Sequence, residues 1–266
     1  MTTKLNKDNY HNIEAERDYM SRSQYLKFLD CEAQAMAYLK GEWIDPPSEP
    51  LLVGQYVHSW NDNTRRDFII RHPGMFKKDG SLKAEYKLAD KMIATLEADP
   101  LCKYMLQGEK EKIYTAEFAG AMWKVMLDVR NEERRRIVDL KTTKSIRETY
   151  WDSVIRERVS FVEQYHYPLQ AALYCEIERR ANGRSEGDWF EFFVVAVSKE
   201  NVPDKEVIDL RDPRRYEVEL ETIAANMPRI LAIKAGEEKP SRCEQCDYCR
   251  STKVLTGAVH YADIVA

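Results

Sequence analysis

The chain has 266 residues, and 41 Lys+Arg against 45 Asp+Glu leave a formal net charge of −4. With 44% hydrophobic residues and about 150 residues as a common domain size, it can fill a packed core, which excludes a disordered or fibrous chain. Ten Gly and ten Pro exclude collagen-like and low-complexity tracts, and the longest apolar runs, such as Phe192 to Val197, fall far short of the ~20 residues of a membrane span.

Ser21 to Lys40 opens on two N-cap candidates, Ser21 and Ser23, carries apolar residues at helical spacing and stops at Gly41, which predicts one helix. Pro46, Pro47 and Pro50 mark a turn before a second predicted helix, Leu51 to Ile70, ended by His72-Pro73-Gly74. A third spans Leu82 to Ala98 and breaks at Asp99-Pro100. The period then changes. Ile113 to Phe118 and Ala121 to Arg130 read as a hairpin turned at Ala119-Gly120, and Arg136 to Lys141 follows as a third strand of an antiparallel meander. Helices are predicted over Ile146 to Arg158 and Phe161 to Arg180, strands over Trp189 to Val197 and Glu206 to Leu210, and a long helix over Arg215 to Lys234. No inter-domain linker or internal repeat interrupts this order, so a single α/β domain over residues 1–266 with a mixed central sheet flanked by helices is expected.

Two neighbouring strands carry the chemistry. Asp128 lies near the end of one, and the next carries Asp139-Leu140-Lys141. Residues two apart on a strand share a face, so Asp139 and Lys141 project together while Leu140 turns to the core and its carbonyl stays near the active face. Paired carboxylates are the hard oxygen ligands that Mg²⁺ or Mn²⁺ takes, and a lysine beside them can orient or deprotonate an attacking water. An Asp-x-Lys pair on a strand is commonly just a surface ion pair. Here the upstream Asp128 and the apolar flanks Ile137, Val138 and Leu140 favour a buried site that cleaves phosphodiesters.

The string Ile137 to Thr143, with Asp128 upstream, resembles the PD-(D/E)XK nuclease superfamily. Gly54-Gln55-Tyr56-Val57-His58 resembles the histidine motif of its RecB-like branch, and Gln170-Ala171-Ala172-Leu173-Tyr174 its Gln-x-x-x-Tyr motif. Together with the Ser-x-Ser start at Ser21, these are most similar to the phage-type exonuclease VIII (RecE-type) nuclease domain. The resemblance implies a restriction-endonuclease-like core in which His58, Asp128, Asp139 and the Leu140 carbonyl hold one or two Mg²⁺ or Mn²⁺ ions. It further implies that Lys141 steers water and that Gln170 and Tyr174 position the scissile phosphate. It implies an exodeoxyribonuclease resecting linear double-stranded DNA 5′ to 3′ for recombination, a ring-shaped homo-oligomer and a single-strand annealing recombinase as partner. The related alternatives are a CRISPR-adaptation-type or endonucleolytic enzyme on the same core and a non-catalytic DNA-binding module. Glu117 and His166 are further candidates to line the site.

Three cysteines, Cys243, Cys246 and Cys249, crowd into seven positions, within a C-terminal segment of about residues 240–252. Thiolates at that pitch suit a metal or cluster better than disulfides. The resemblance to iron–sulfur RecB-like nucleases supplies Cys31 as the upstream ligand of a [4Fe–4S] cluster, although those relatives space the trailing cysteines differently. Zn²⁺ with Cys31 or His260 as fourth ligand, and free thiols, are the other readings. Cys102 and Cys175 read as core residues.

A charge near zero argues mildly against a nucleic-acid protein. Local cations can still contact phosphates whatever the sum, and Arg134, Arg135 and Arg136 at the turn before the Asp139 strand, with Lys144 beyond it, are the candidates. Met1 to Tyr10 is polar and lacks the apolar stretch of a signal peptide, so a cytoplasmic location in a bacterial or phage-infected cell, with no membrane partner, is expected.

Overall fold

The computed structural model describes residues 4–44 and 49–263. Its helices are α1 (Ile13–Asp18), α2 (Arg22–Asp30), α3 (Glu32–Lys40), α4 (Glu49–Asn61), α5 (Arg65–Arg71), α6 (Ala84–Ala98), α7 (Pro100–Met105), α8 (Phe161–Gln164), α9 (Tyr167–Ala181), α10 (Pro213–Ala235) and α11 (Asp247–Ser251). Its strands are β1 (Glu109–Phe118), β2 (Ala121–Asn131), β3 (Arg136–Thr143), β4 (Thr149–Asp152), β5 (Glu157–Ser160), β6 (Glu191–Ser198) and β7 (Lys205–Asp209). Five strands form a mixed sheet in the order β1-β2-β3-β6-β7, antiparallel except for the β3–β6 pair. The meander is as the sequence predicts, and Ala119 and Gly120 both take the positive φ that a tight two-residue hairpin turn requires.

The parallel pair β3–β6 needs a crossover, and the chain supplies it with α8 and α9. Both faces of this pair are covered, which is why its strands read as near-continuous apolar runs. On one face Ile137, Phe192 and Val194 pack with Leu169, Leu173 and Ile177 of α9, Ile223 and Met227 of α10 and Tyr25 and Phe28 of α2. On the other, Val138, Leu140, Val195 and Val197 pack with Val53 and Val57 of α4 and Met92 and Leu96 of α6. Cys102 and Cys175 are buried core residues. Among the described residues no helix is long and apolar enough to cross a membrane.

Four predicted elements are broken where a local interaction outweighs periodicity. The helix expected over Ser21 to Lys40 is two helices, because Cys31 is extended (φ −164, ψ 106) and serves as C-cap of one and N-cap of the next. The second helix divides at Asn63, whose φ is positive, with Asp62 Oδ1 accepting from the backbone N–H of Thr64 at 2.9 Å. Of the prolines assigned to the preceding turn, Pro46 and Pro47 lie outside the described residues and Pro50 sits in the first turn of α4. The helix expected over Phe161 to Arg180 is likewise two, α8 and α9, parted at Tyr165 and the positive-φ His166, with Pro168 in the first turn of α9. The helix expected over Ile146 to Arg158 is instead the hairpin β4–β5. Thr149-Tyr150-Trp151 favours a strand, Asp152 Oδ1 accepts from Val154 N–H at 2.8 Å to make the turn, and Arg158 Nε donates across the pair to Thr149 Oγ1 at 2.7 Å. Asp99 ends α6 as predicted, but its side chain also caps α7 through Leu101 and Cys102 N–H groups at 2.9 Å.

A buried ionic network ties α9 to β2. The fully buried Glu178 carboxylate accepts from Arg130 Nη2 at 2.8 Å and Nε at 3.0 Å, from Asn182 Nδ2 at 3.0 Å and from Arg184. Its neighbour Glu176 accepts from Arg179, Arg180 and the Trp189 indole. Burial would raise the Glu176 carboxyl, but the hydrogen bonds from Arg179, Trp189 and Arg180 prevail and hold it at about 2. Glu178→Ala leaves Arg130 buried without its main partner and is expected to cost about 3–5 kcal/mol in urea unfolding; a loss below 1 kcal/mol would show that the network carries little stability. Because the folded Glu176 carboxyl lies below its unfolded value, its contribution is present above about pH 4.5 and is lost as pH falls toward 2. Stability measured across that window should fall more steeply for the wild type than for Glu176→Gln.

Candidate active site

The β2–β3 ladder closes with Val129 opposite Val138, so one step further the register sets Asp128 opposite Asp139, where the strands part. There the Asp128 side chain takes the place of a backbone acceptor: its Oδ2 accepts from Leu140 N–H at 2.9 Å. Along β3, Ile137, Asp139 and Lys141 face α9, while Val138 and Leu140 face α4 and α6. Lys141 Nζ lies 2.6 Å from Asp139 Oδ2. Gln170 Nε2, from the first turn of α9, donates to Asp139 Oδ1 at 2.6 Å. Tyr174 stands one helical turn on, the four-residue spacing that puts both on one helix face.

His58 arrives from the other side. Gly54 lets α4 approach β3 closely, since a Cβ there would stand 3.3 Å from Thr142 Oγ1, and one turn later His58 Nδ1 lies 3.5 Å from Asp128 Oδ2. Burial alone would lower the His58 pKa, but the Asp128 charge raises it above the usual value. Burial would raise Asp128, and His58 followed by Lys141 brings it below the usual carboxylate range. Asp139 is pushed up, mainly by burial and further by Asp128, against the pull of Lys141. The two carboxylates are thus driven apart in acidity by their surroundings.

Gln170 Oε1 is buried without a hydrogen-bond partner, Asp139 Oδ2 is held by the Lys141 ammonium, and the donor set of two carboxylates, an imidazole and a backbone carbonyl has the chemistry of a Mg²⁺ or Mn²⁺ site. A divalent ion there would join Lys141 in neutralising the Asp139 carboxylate. Among the described residues only the four cysteines form a group of three or more His, Cys, Asp or Glu ligand atoms gathered as around a single ion.

Asp128, Asp139, Lys141, Gln170 and Tyr174 open onto a cavity of about 190 Å³ whose opposite wall is Tyr10, His11, Glu16 and the Ser21-Arg22-Ser23 start of α2. Sequence reading marked the two serines as caps but passed over Arg22 between them. Arg22 donates to the Tyr165 and His166 carbonyls and leaves its buried Nε without a partner.

Other candidates fall elsewhere. Glu117 is exposed and lines a separate surface cleft with Arg180. His166 is exposed and lends only its backbone carbonyl to Arg22. Arg136 corrects the reading of the arginine run: it is buried, with its guanidinium on the Tyr104 and Met105 carbonyls and over the Tyr104 ring. As the first residue of β3 it follows the strand inward instead of the turn outward. Arg135 pairs with Asp188, Arg134 lies over Tyr104, and the exposed Lys144 pairs with Glu148 at 2.8 Å. Only these three of the four stay at the surface.

At the far end of α2, Cys31 meets Cys243, Cys246 and Cys249, all four Sγ atoms lying within 4.8 Å of one another. Backbone N–H groups of Gln245 and Cys246 draw the Cys243 thiol down to about 6. His260 is not in this group and stacks on Tyr261.

A mixed sheet that sets Asp128, Asp139 and Lys141 beside a helical glutamine is the frame of a PD-(D/E)XK-type nuclease. Residues 21–252 match the PDDEXK-like domain of unknown function DUF3799, and the chain belongs to that family. It is similar to a solved structure from Eubacterium rectale described as a "putative exonuclease", with 36% identity over 99% of each chain and a TM-score of 0.92. A second solved structure, SSO0001, is 13% identical over 85% of this chain and 91% of its own at a TM-score of 0.30, too low to bear on fold or function. No curated protein matches.

Because α4 touches β3 at Gly54, Gly54→Leu should overpack that contact and cost about 1–3 kcal/mol. Gly74→Leu, with open space around it, should cost much less; equal losses in thermal unfolding would deny the close approach its role.

Proposed function

We propose that this nuclease is a metal-dependent exodeoxyribonuclease that resects linear double-stranded DNA, 5′ to 3′, leaving 3′ single-stranded tails for annealing. The observation that carries the reading is the buried Asp139, held between Lys141 and Gln170 and set opposite Asp128 in an open cavity. Its likeness over nearly full length to a protein described as an exonuclease supports the choice among nucleases.

In this reading His58, Asp128, Asp139 and the Leu140 carbonyl would hold the ion. A divalent ion bound there supplies Lewis-acid polarisation of the phosphate and a bound water acidic enough to attack. Gln170 fixes the Asp139 carboxylate through its 2.6 Å hydrogen bond. Lys141 Nζ donates a hydrogen bond to the attacking water or to a phosphate oxygen, and Tyr174 and Arg22 bind phosphate from the cavity walls. Cations at the cavity and at Arg134, Arg135 and Lys144 provide a modest affinity for DNA that weakens steeply with salt. Residues 1–266 act as one domain, located in the cytoplasm, working as a ring-shaped homo-oligomer beside a single-strand annealing recombinase.

The test is a gel assay on linear and closed circular plasmid, with and without Mg²⁺ or Mn²⁺. Linear duplex should be consumed only with metal and circular DNA spared; circular cleavage would replace the exonuclease with an endonuclease, and no cleavage of either would leave a DNA-binding module. Asp139→Ala and Lys141→Ala should each lower the rate by about 10³-fold or more, the scale of losing electrostatic stabilisation of the transition state. A variant within tenfold of wild type would remove that residue from the mechanism.

A further inference from the structure

The sulfur spacing of the cysteine group decides what it can hold. Cys31 Sγ lies 3.6 Å from Cys249 Sγ, Cys243 Sγ lies 4.0 Å from Cys249 Sγ, and no pair of the four exceeds 4.8 Å. A single tetrahedral ion with metal–sulfur bonds near 2.3 Å places its ligand sulfurs about 3.8 Å apart. A [4Fe–4S] cubane puts four irons and four sulfides between the same thiolates and spreads them to roughly 6 Å. The observed spacing matches the first arrangement.

The backbone on both sides of the group is tied by contacts that need no metal. Glu32, next to Cys31, takes Arg229 Nε at 2.6 Å and Nη2 at 2.8 Å. Ser241, two before Cys243, donates its N–H to Glu32 Oε2 at 2.7 Å and accepts from Ala33 N–H at 3.0 Å. Spreading the thiolates to cubane distance would have to move these anchored segments apart. Within the C-terminal segment Cys246 N–H points at Cys243 Sγ at 3.3 Å and Cys249 N–H at Cys246 Sγ at 3.4 Å, backbone donors aimed at sulfurs as thiolate ligands require. Cys31 and Cys249 are buried.

We propose that Cys31, Cys243, Cys246 and Cys249 bind one Zn²⁺ in a closed tetrathiolate site, and not an iron–sulfur cluster. Four protein ligands leave no open coordination position, so the ion is structural. It clasps the C-terminal segment to the break between α2 and α3. This assignment is independent of the nuclease reading, because its test is metal content and spectrum.

The full-length protein, expressed with both iron and zinc supplied and purified without oxygen, is analysed for metals. The expected result is about one zinc per chain, negligible iron and no visible absorption. Exchange with Co²⁺ should bring up the intense d–d bands of a tetrahedral thiolate site. Stoichiometric iron, whether one or four atoms per chain, or reduced protein free of zinc, overturns the proposal. Cys246→Ser, at the partly exposed ligand, should lose most of the zinc and unfold at lower temperature; if it fails to fold, the wild-type metal content and cobalt spectrum still decide.

Discussion

The structure turns on a carboxylate that is almost wholly buried and meets solvent only at the edge of a cavity. Asp139 is buried on the central strand of the sheet, and a lone charge there would be costly enough to unfold the strand or stay protonated. Its compensation fixes the neighbouring elements one by one. Lys141 has to sit two residues along the same strand, Gln170 has to come from a helix lying over that face, and that helix has to return from the crossover that makes β6 parallel to β3. Even so, the Gln170 carbonyl oxygen stays unsatisfied. Buried polar atoms without partners are rare in folded proteins. One of them beside the buried Asp139 marks a place where the fold leaves a polar group unpaired at the cavity.

The same logic explains why the net charge of −4 says little about DNA. Most arginines are committed to carboxylates: Arg130 and Arg184 to Glu178, Arg179 and Arg180 to Glu176, Arg135 to Asp188, Arg211 to Asp209 and Glu191. These pairs hold α9 and the sheet together and cancel in the sum. Arg22 differs: its Nη2 bonds go to backbone carbonyls, which do not neutralise it, and its Nε has no partner, so its charge remains available to the cavity. A total over the sequence weighs the structural pairs and a cation at the cavity alike, and only placement separates them.

The parts of the fold legible beforehand are those in which one-dimensional pattern and three-dimensional contact coincide. The meander was readable because alternation and a two-residue turn are both local, and Asp139 with Lys141 because a spacing of two on a strand decides the face. The break at Cys31 was not, since no glycine or proline marks it; the residue is held extended by what its neighbours bond to at the far end of the chain, Ser241 and Arg229. The hairpin at Thr149 to Ser160 was missed for the opposite reason: scattered apolar residues imitated a helical period while the β-branched and aromatic run and the Asp152 turn carried the stronger local preference. Arg136 was misjudged because a run of like charges was read as one unit, although it spans the boundary between a turn and a strand.

The cysteine group and the cavity are far apart in sequence but joined by one short element. Helix α2 has nine residues, about 13 Å at 1.5 Å each. Its first turn carries Ser21 and Arg22 into the cavity wall, and its last residue adjoins Cys31. A helix this short has little stability of its own and takes its position from what grips its ends. One grip is the Ser21 cap together with the Arg22 bonds to the Tyr165 and His166 carbonyls. The other is the Cys31 junction, where Glu32, Arg229 and Ser241 converge. Loosening the second grip frees the helix to pivot about the first, and displacements at the cysteines then reach the cavity wall with little attenuation. The extended residue that interrupts the helix therefore has a use: it ends α2 at the length that lets one end face the cavity while the other abuts the C-terminal segment.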